Sequence, residues 1–112
     1  MKFSKDMLKG AAPFVVVQML DELGEAYGYQ LIKAVREESG EVFDFPDSTL
    51  YPILYRLEAK KLISSRIQQT ANKKDRRYYK VTPDGRKWLA DRKSEFKIYI
   101  KGLQHFLPSK AV

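Results

Sequence analysis

Apolar residues recur at three- and four-residue intervals in four stretches of the chain and give way to strand-like composition in one, which predicts four helices with a β-hairpin before the last. The first helix runs from Ser4 to about Leu23, with Met7, Leu8, Ala11, Ala12, Val15, Val16, Met19 and Leu20 as its apolar positions. These cover more than one stripe, so the helix is expected to touch neighbours on two sides, and Pro13 is a candidate kink. Asp21 to Ala26 reads as a helix end and turn, with Gly24 suited to a positive φ. Tyr27 to Ser39 forms the second helix, in which Gly28, Leu31, Ile32 and Val35 fall on one face. Glu41 to Phe45 is a connector whose Val42, Phe43 or Phe45 should plug the core.

The third helix, Pro46 to Lys61, has the plainest pattern. Leu50, Ile53, Leu54 and Leu57 make one apolar stripe. Ser48, Pro52, Tyr55, Arg56 and Ala59 point the other way, flanked by Thr49, Tyr51 and Lys60. Asp47 and Ser48 are both candidate N-caps. A helix with this outer face fits a DNA major groove, although an ordinary surface helix has the same amphipathicity. Leu62 to Gln69 and Arg76 to Val81 then read as two strands joined by a turn at Thr70 to Asp75. In the last helix Thr82 caps, Pro83 takes the first position and Asp84 complements the dipole. It can run to about Phe106, with two heptad rows: Leu89, Phe96 and Leu103, and Arg92, Tyr99 and Phe106. One small domain offers limited surface to cover so long a stripe, so self-association through Leu89, Phe96, Leu103 and Phe106 is the expected use of it, with folding back onto its own domain as the alternative. Pro108 should end the helix and leave a loose tail.

The charge map changes the picture. At 112 residues and 44% apolar content the chain is one small domain with an appended element, and it carries a net charge of +7. Between Lys60 and Lys80 eight cations face one acid, so this segment alone accounts for the whole excess. A localised excess of this kind suits a polyanionic partner. The cations Lys73, Lys74, Arg76 and Arg77 sit at the predicted hairpin tip. A groove-facing helix followed by a cation-tipped hairpin is the winged helix-turn-helix layout, in which the wing grips phosphates or reaches the minor groove. The fold class is therefore mainly α with a two-stranded wing and a long C-terminal helix, divided as residues 1–82 and 83–112.

Other chemistry finds little support. With no cysteine there is no disulfide framework or thiolate metal site, and the one histidine, His105, sits near the end of the last helix. No residues have metal-ligand spacing, no nucleophile stands beside a base and no glycine loop precedes a helix, so neither enzyme activity nor a cofactor is expected. No apolar run approaches a membrane span and no leader is evident, which makes the cytoplasm the expected location. Ser48, Thr49 and Tyr51 are the candidates for base contacts, and Arg56, Lys60 and the wing cations for phosphates. Gly28 allows close approach of a helix or a phosphate. Two rivals remain open: a winged-helix protein–protein module, and a single-stranded RNA binder stacking bases on Tyr51, Tyr55, Tyr78 and Tyr79.

Three blocks then carry a resemblance: Tyr27-Gly28-Tyr29-Gln30-Leu31-Ile32, Ser48-Thr49-Leu50-Tyr51-Pro52-Ile53-Leu54-Tyr55-Arg56-Leu57-Glu58, and Arg77-Tyr78-Tyr79-Lys80-Val81-Thr82-Pro83-Asp84-Gly85. In order and spacing the chain resembles the PadR-like transcriptional regulators from about Met7 to Gly85, and its single C-terminal helix resembles the smaller subfamily. The resemblance implies a homodimer that binds a palindromic double-stranded DNA operator and represses. It also implies that Ser48, Thr49 and Tyr51 meet DNA, with Arg76 and Arg77 on the wing. Multidrug-responsive members place a stacking tryptophan on the last helix, where this chain has Phe96. By that analogy a planar hydrophobic or phenolic effector would enter between Phe96, Tyr99 or Ile100 and Met7, Ala11 or Phe14. The wing lacks the family's Gly/Pro-rich turn and has Asn72-Lys73-Lys74-Asp75 instead.

Overall fold

The computed structural model describes residues 3–107, so the expected stop at Pro108 and the tail after it lie outside the described residues. The elements are α1 (Lys5–Leu23), β1 (Ala26–Tyr27), α2 (Gly28–Glu38), α3 (Asp47–Ala59), β2 (Ile63–Gln69), β3 (Asp75–Val81) and α4 (Pro83–Gln104). The described residues thus form four helices in a winged-helix architecture.

Helix α1 starts where the Ser4 hydroxyl accepts from the Met7 amide and ends at Gly24, whose φ is 82°. It is continuous through Pro13 and packs against α2, α3, α4 and β3, which explains its apolar residues on more than one side. Val16, Val17 and Leu20 are fully buried beside Leu31 and Val35 of α2. All four residues of the α3 stripe, Leu50, Ile53, Leu54 and Leu57, join the same core. Each such side chain contributes about 1.5–3 kcal/mol of transfer free energy. Phe45 is the connector residue that plugs the core, with Phe43 half-buried against it and Val42 exposed.

The sheet departs from expectation. It has three antiparallel strands in the order β1-β3-β2, because Ala26 and Tyr27 pair with Tyr79 and Tyr78. A strand of two residues has no alternation to detect, and the sequence pattern puts Ala26 in the turn and Tyr27 at the start of the second helix. Within the β2–β3 hairpin Ile63 opposes Val81, Ser65 opposes Tyr79 and Ile67 opposes Arg77. The inner face buries Ile63, Tyr79 and Val81, while the outer end of the hairpin projects into solvent.

Two further corrections concern helix ends and the last helix. The N-cap of α3 is Pro46, not Asp47 or Ser48, and its carbonyl accepts from the amides of Thr49 and Leu50 at 2.9 Å each. Leu89, assigned by heptad spacing to the self-association seam, is instead 3% exposed and belongs to this chain's own core. The first two turns of α4 are held down onto the sheet. The Thr82 hydroxyl donates to the carbonyls of Lys61 and Leu62 and accepts from the Gly85 amide at 3.0 Å. At Gly85 any Cβ would collide with the Leu62 carbonyl oxygen, so only glycine admits this approach. Beyond Leu89 the helix leaves the core, and Ile98, Tyr99, Ile100, Leu103, Phe106 and Leu107 are all exposed.

Candidate nucleic-acid interface

The residues expected to meet DNA lie on the helix α3, at the start of α2 and on the hairpin. Ser48, Arg56 and Lys60 are exposed, Thr49 is half-buried and Tyr51 is 46% exposed. Tyr55, which lies one turn beyond Tyr51, is more exposed still at 78%. Lys73, Lys74, Arg76 and Arg77 are all exposed on the wing. Lys73 occupies the hairpin turn at φ 60°, its amide donating to the Thr70 carbonyl.

Gly28 is buried beneath the Tyr51 ring and has no room for a Cβ. Its use is therefore steric: it admits the hydroxyl end of the α3 tyrosine against the first turn of α2. Tyr27 precedes it with its amide donating to the Gln30 side chain at 3.0 Å, which fixes where α2 begins. The close pairing of the start of α2 with α3 leaves Ser48, Thr49 and Tyr51 on one surface.

The wing is tied to α3 by a relay absent from the sequence reading. Ser65 Oγ donates to Glu58 of α3 at 2.5 Å and accepts from Arg77 Nη1 at 2.9 Å. Arg77 is thereby aimed across the crease between helix and hairpin. Beneath it the Tyr79 phenol is raised above its ordinary value of 10.0, chiefly because its ring is buried, with Arg77 opposing the rise. Glu58 and Ser65 look unremarkable in sequence; only the hairpin register places Ser65 next to Arg77.

The opposite face of the sheet carries an aromatic and cationic ladder. Tyr27 and Tyr78 meet edge to face at 5.5 Å, Arg76 lies 4.2 Å over Tyr27 and Arg66 lies 5.1 Å over Tyr78. Arg66 also makes a two-pronged ion pair with Glu25 at 2.8 and 2.7 Å. The paired hydrogen bonds hold the Glu25 carboxyl below its ordinary range. Of the cations concentrated after α3, Arg66 is thus neutralised inside the molecule and contributes less to an anion-binding face than the others.

A separate cavity of about 590 Å³ opens between α1 and α4 and is lined by Met7, Ala11, Phe96 and Tyr99 together with Arg92 and Glu95. Phe14 stands behind it, its ring 4.8 Å from that of Phe96. Ile100 does not line the cavity; it lies about 100° further round the helix than Tyr99 and faces solvent. Arg92 pairs with Glu95 at 3.2 Å and stacks over Trp88, which answers how a cation sits on an apolar row.

A helix with an exposed polar face, a preceding helix packed against it and a cation-bearing wing define the winged-helix class of DNA-binding regulator, and similar solved structures are transcriptional regulators. A transcriptional regulator from Clostridium thermocellum is 27% identical with a TM-score of 0.83, covering 92% of this chain and 99% of its own. A PadR family regulator from Eggerthella lenta is 27% identical with a TM-score of 0.79, covering 94% and 88%. One from Clostridium difficile is 32% identical with a TM-score of 0.73, covering 86% and 97%. The profile of the transcriptional regulator PadR-like family matches residues 16–91. The chain belongs to the PadR-like family, whose members regulate transcription and are not enzymes. None of the described helices is long and apolar enough to cross a membrane.

Proposed function

We propose that this DNA-binding regulator acts as a homodimer on a palindromic operator, represses transcription from it in the cytoplasm, and is released by a planar hydrophobic or phenolic effector. The observation that carries this reading is the free half of α4. Ile100 and Leu103 on the helix and Phe106 just beyond its end are 52%, 43% and 86% exposed, while the base of the helix is locked into the reading domain. An unpartnered apolar stripe of that extent is the mark of an association surface. Pairing through it would present two copies of α3 at a fixed separation, and such a dimer recognises two half-sites related by symmetry.

In this reading Ser48, Thr49 and Tyr51 contact base edges, Arg56 and Lys60 contact phosphates beside the groove, and the Gly28 end of α2 lies near the backbone. Lys73, Lys74, Arg76 and Arg77 supply wing contacts. The effector occupies the cavity between α1 and α4, where Phe96 and Tyr99 offer aromatic surfaces. Its presence changes the tilt of α4 and with it the half-site spacing. Light scattering on wild type and on an Ile100→Lys/Leu103→Lys variant tests the pairing. The wild type should be a dimer that shifts a palindromic duplex selected from random DNA. The variant should be a monomer that binds half-sites weakly, and a wild-type monomer would overturn the proposal.

A further inference from the structure

A second cavity, of about 660 Å³, lies on the reading domain itself, between the start of α1 and the connector that leads into α3. Its apolar walls are Phe3, Leu8, Val42, Phe43 and Phe45, and its far side is formed by Pro46 and Thr49. Phe43 sits at the centre of an aromatic row, 5.5 Å from Phe3 and 6.0 Å from Phe45. The volume falls in the range of about 300–1,000 Å³ typical of small-ligand sites, and an apolar lining with a few polar groups is their usual composition.

The charged groups at this cavity are Glu41, Asp44 and Lys5, none of which is in an ion pair among the described residues. Among the described residues the lining carries two carboxylates against one ammonium, on a chain whose excess charge is positive and sits elsewhere. The partial positive end of α3 opposes a cation here, but Asp47 in its first turn offsets it. Aromatic faces and carboxylates together favour an organic cation, since the ring quadrupole and the carboxylate charge both attract an ammonium.

We propose that this cavity is a binding site for an amphipathic aromatic cation, and that its occupation weakens operator binding from within a single protomer. Pro46 is the N-cap of α3 and Thr49 is its third residue, so the ligand's wall is the start of the groove-reading helix. An occupant pressing on Phe43 and Phe45 displaces that start directly, without any change in how two protomers pair. The DNA consequence rests on the reading of α3 given above; the ligand site does not.

Naphthylmethylammonium, with the neutral naphthylmethanol and the anionic naphthylacetate as matched probes, tests the site through naphthyl fluorescence on the full chain. The ammonium should bind about tenfold more tightly than the alcohol, and the acid more weakly than both. Glu41→Gln/Asp44→Asn should erase the advantage of the ammonium while leaving the alcohol unchanged. Lys5→Met should tighten the ammonium, and Phe43→Ala should weaken both ammonium and alcohol. Binding at one probe per chain should persist in Phe96→Ala and in the Ile100→Lys/Leu103→Lys monomer. Equal binding of all three probes, no binding, or loss of binding in Phe96→Ala overturns the site. Ammonium binding that leaves duplex affinity unaltered overturns the regulatory half, whereas failure of the protein to bind any duplex strikes the functional reading and leaves the site standing.

Discussion

The Tyr51 ring lies over Gly28 so closely that an added Cβ would stand 2.8 Å from its Cζ and closer still to its hydroxyl. Because Tyr51 is 46% exposed, its ring can swing away when crowded, so the conflict falls on the exposed face of α3 more than on the core. Gly28→Ala should therefore change stability by no more than about 1 kcal/mol, the gain in helix propensity partly offsetting the displacement. Sequence preference should fall, because Tyr51 is displaced from its place against α2. In a Tyr51→Ala background the same glycine change should have no further effect on DNA binding. A double-mutant cycle on duplex affinity measures this coupling, and additive effects would contradict it.

On the wing, Lys73 and Lys74 are exposed and unpaired among the described residues. Replacing both with alanine should make the plot of log affinity against log salt shallower by about 2–4 units per dimer, from about −5 to −7. Preference for the operator over random duplex should stay nearly constant. Thr49→Ala should do the reverse. Titrations at several salt concentrations with both duplexes separate the two roles.

Ser65→Ala removes the hydroxyl that links Glu58 to Arg77. The hairpin retains its ladder, so folding and assembly should be unaffected, while Arg77 loses its orientation and Glu58 is left as a bare acid beside the groove. Duplex affinity should fall by about fivefold, roughly 1 kcal/mol, the typical net worth of one intramolecular hydrogen bond. Ser65→Thr, which keeps the hydroxyl, should retain most of the affinity.

Tyr79 gives a pH dependence of definite sign. Its phenol is raised in the folded chain, chiefly by burial, so the folded state holds a proton that the unfolded state releases near pH 10.0. The associated stability is complete below that pH and declines as pH climbs through the folded-state value, by at most about 1.4 kcal/mol per pH unit. Tyr79→Phe should flatten this alkaline limb and leave neutral-pH stability nearly the same, which urea melts between pH 8 and pH 11 would show, taking that interval as about the window.

Much of this arrangement was legible before any coordinates. The stripe Leu50, Ile53, Leu54 and Leu57 is buried throughout because a repeat that regular on a capped segment has one stable way to fold. The hairpin followed from β-favouring residues on either side of a polar turn. Strand β1 was not legible, since two residues carry no period and Ala26 and Tyr27 are recruited by pairing with β3. Leu89 shows a different limit. Heptad spacing ranks positions around a helix but not along it, so it could not reveal that the core claims the base of α4 and releases the rest. The relay through Ser65 depends on cross-strand register, which composition does not encode.

The anchored base of α4 makes the remainder a pointer. From Leu89 to Gln104 is 15 residues in the sequence, about 22 Å along the axis at 1.5 Å per residue. A swing of roughly 5° about the Gly85–Leu62 abutment carries the far end about 2 Å at that length. Whatever grips the tip thus feels the attitude of the sheet magnified, and any torque applied there arrives at Tyr79 and the hairpin with mechanical advantage.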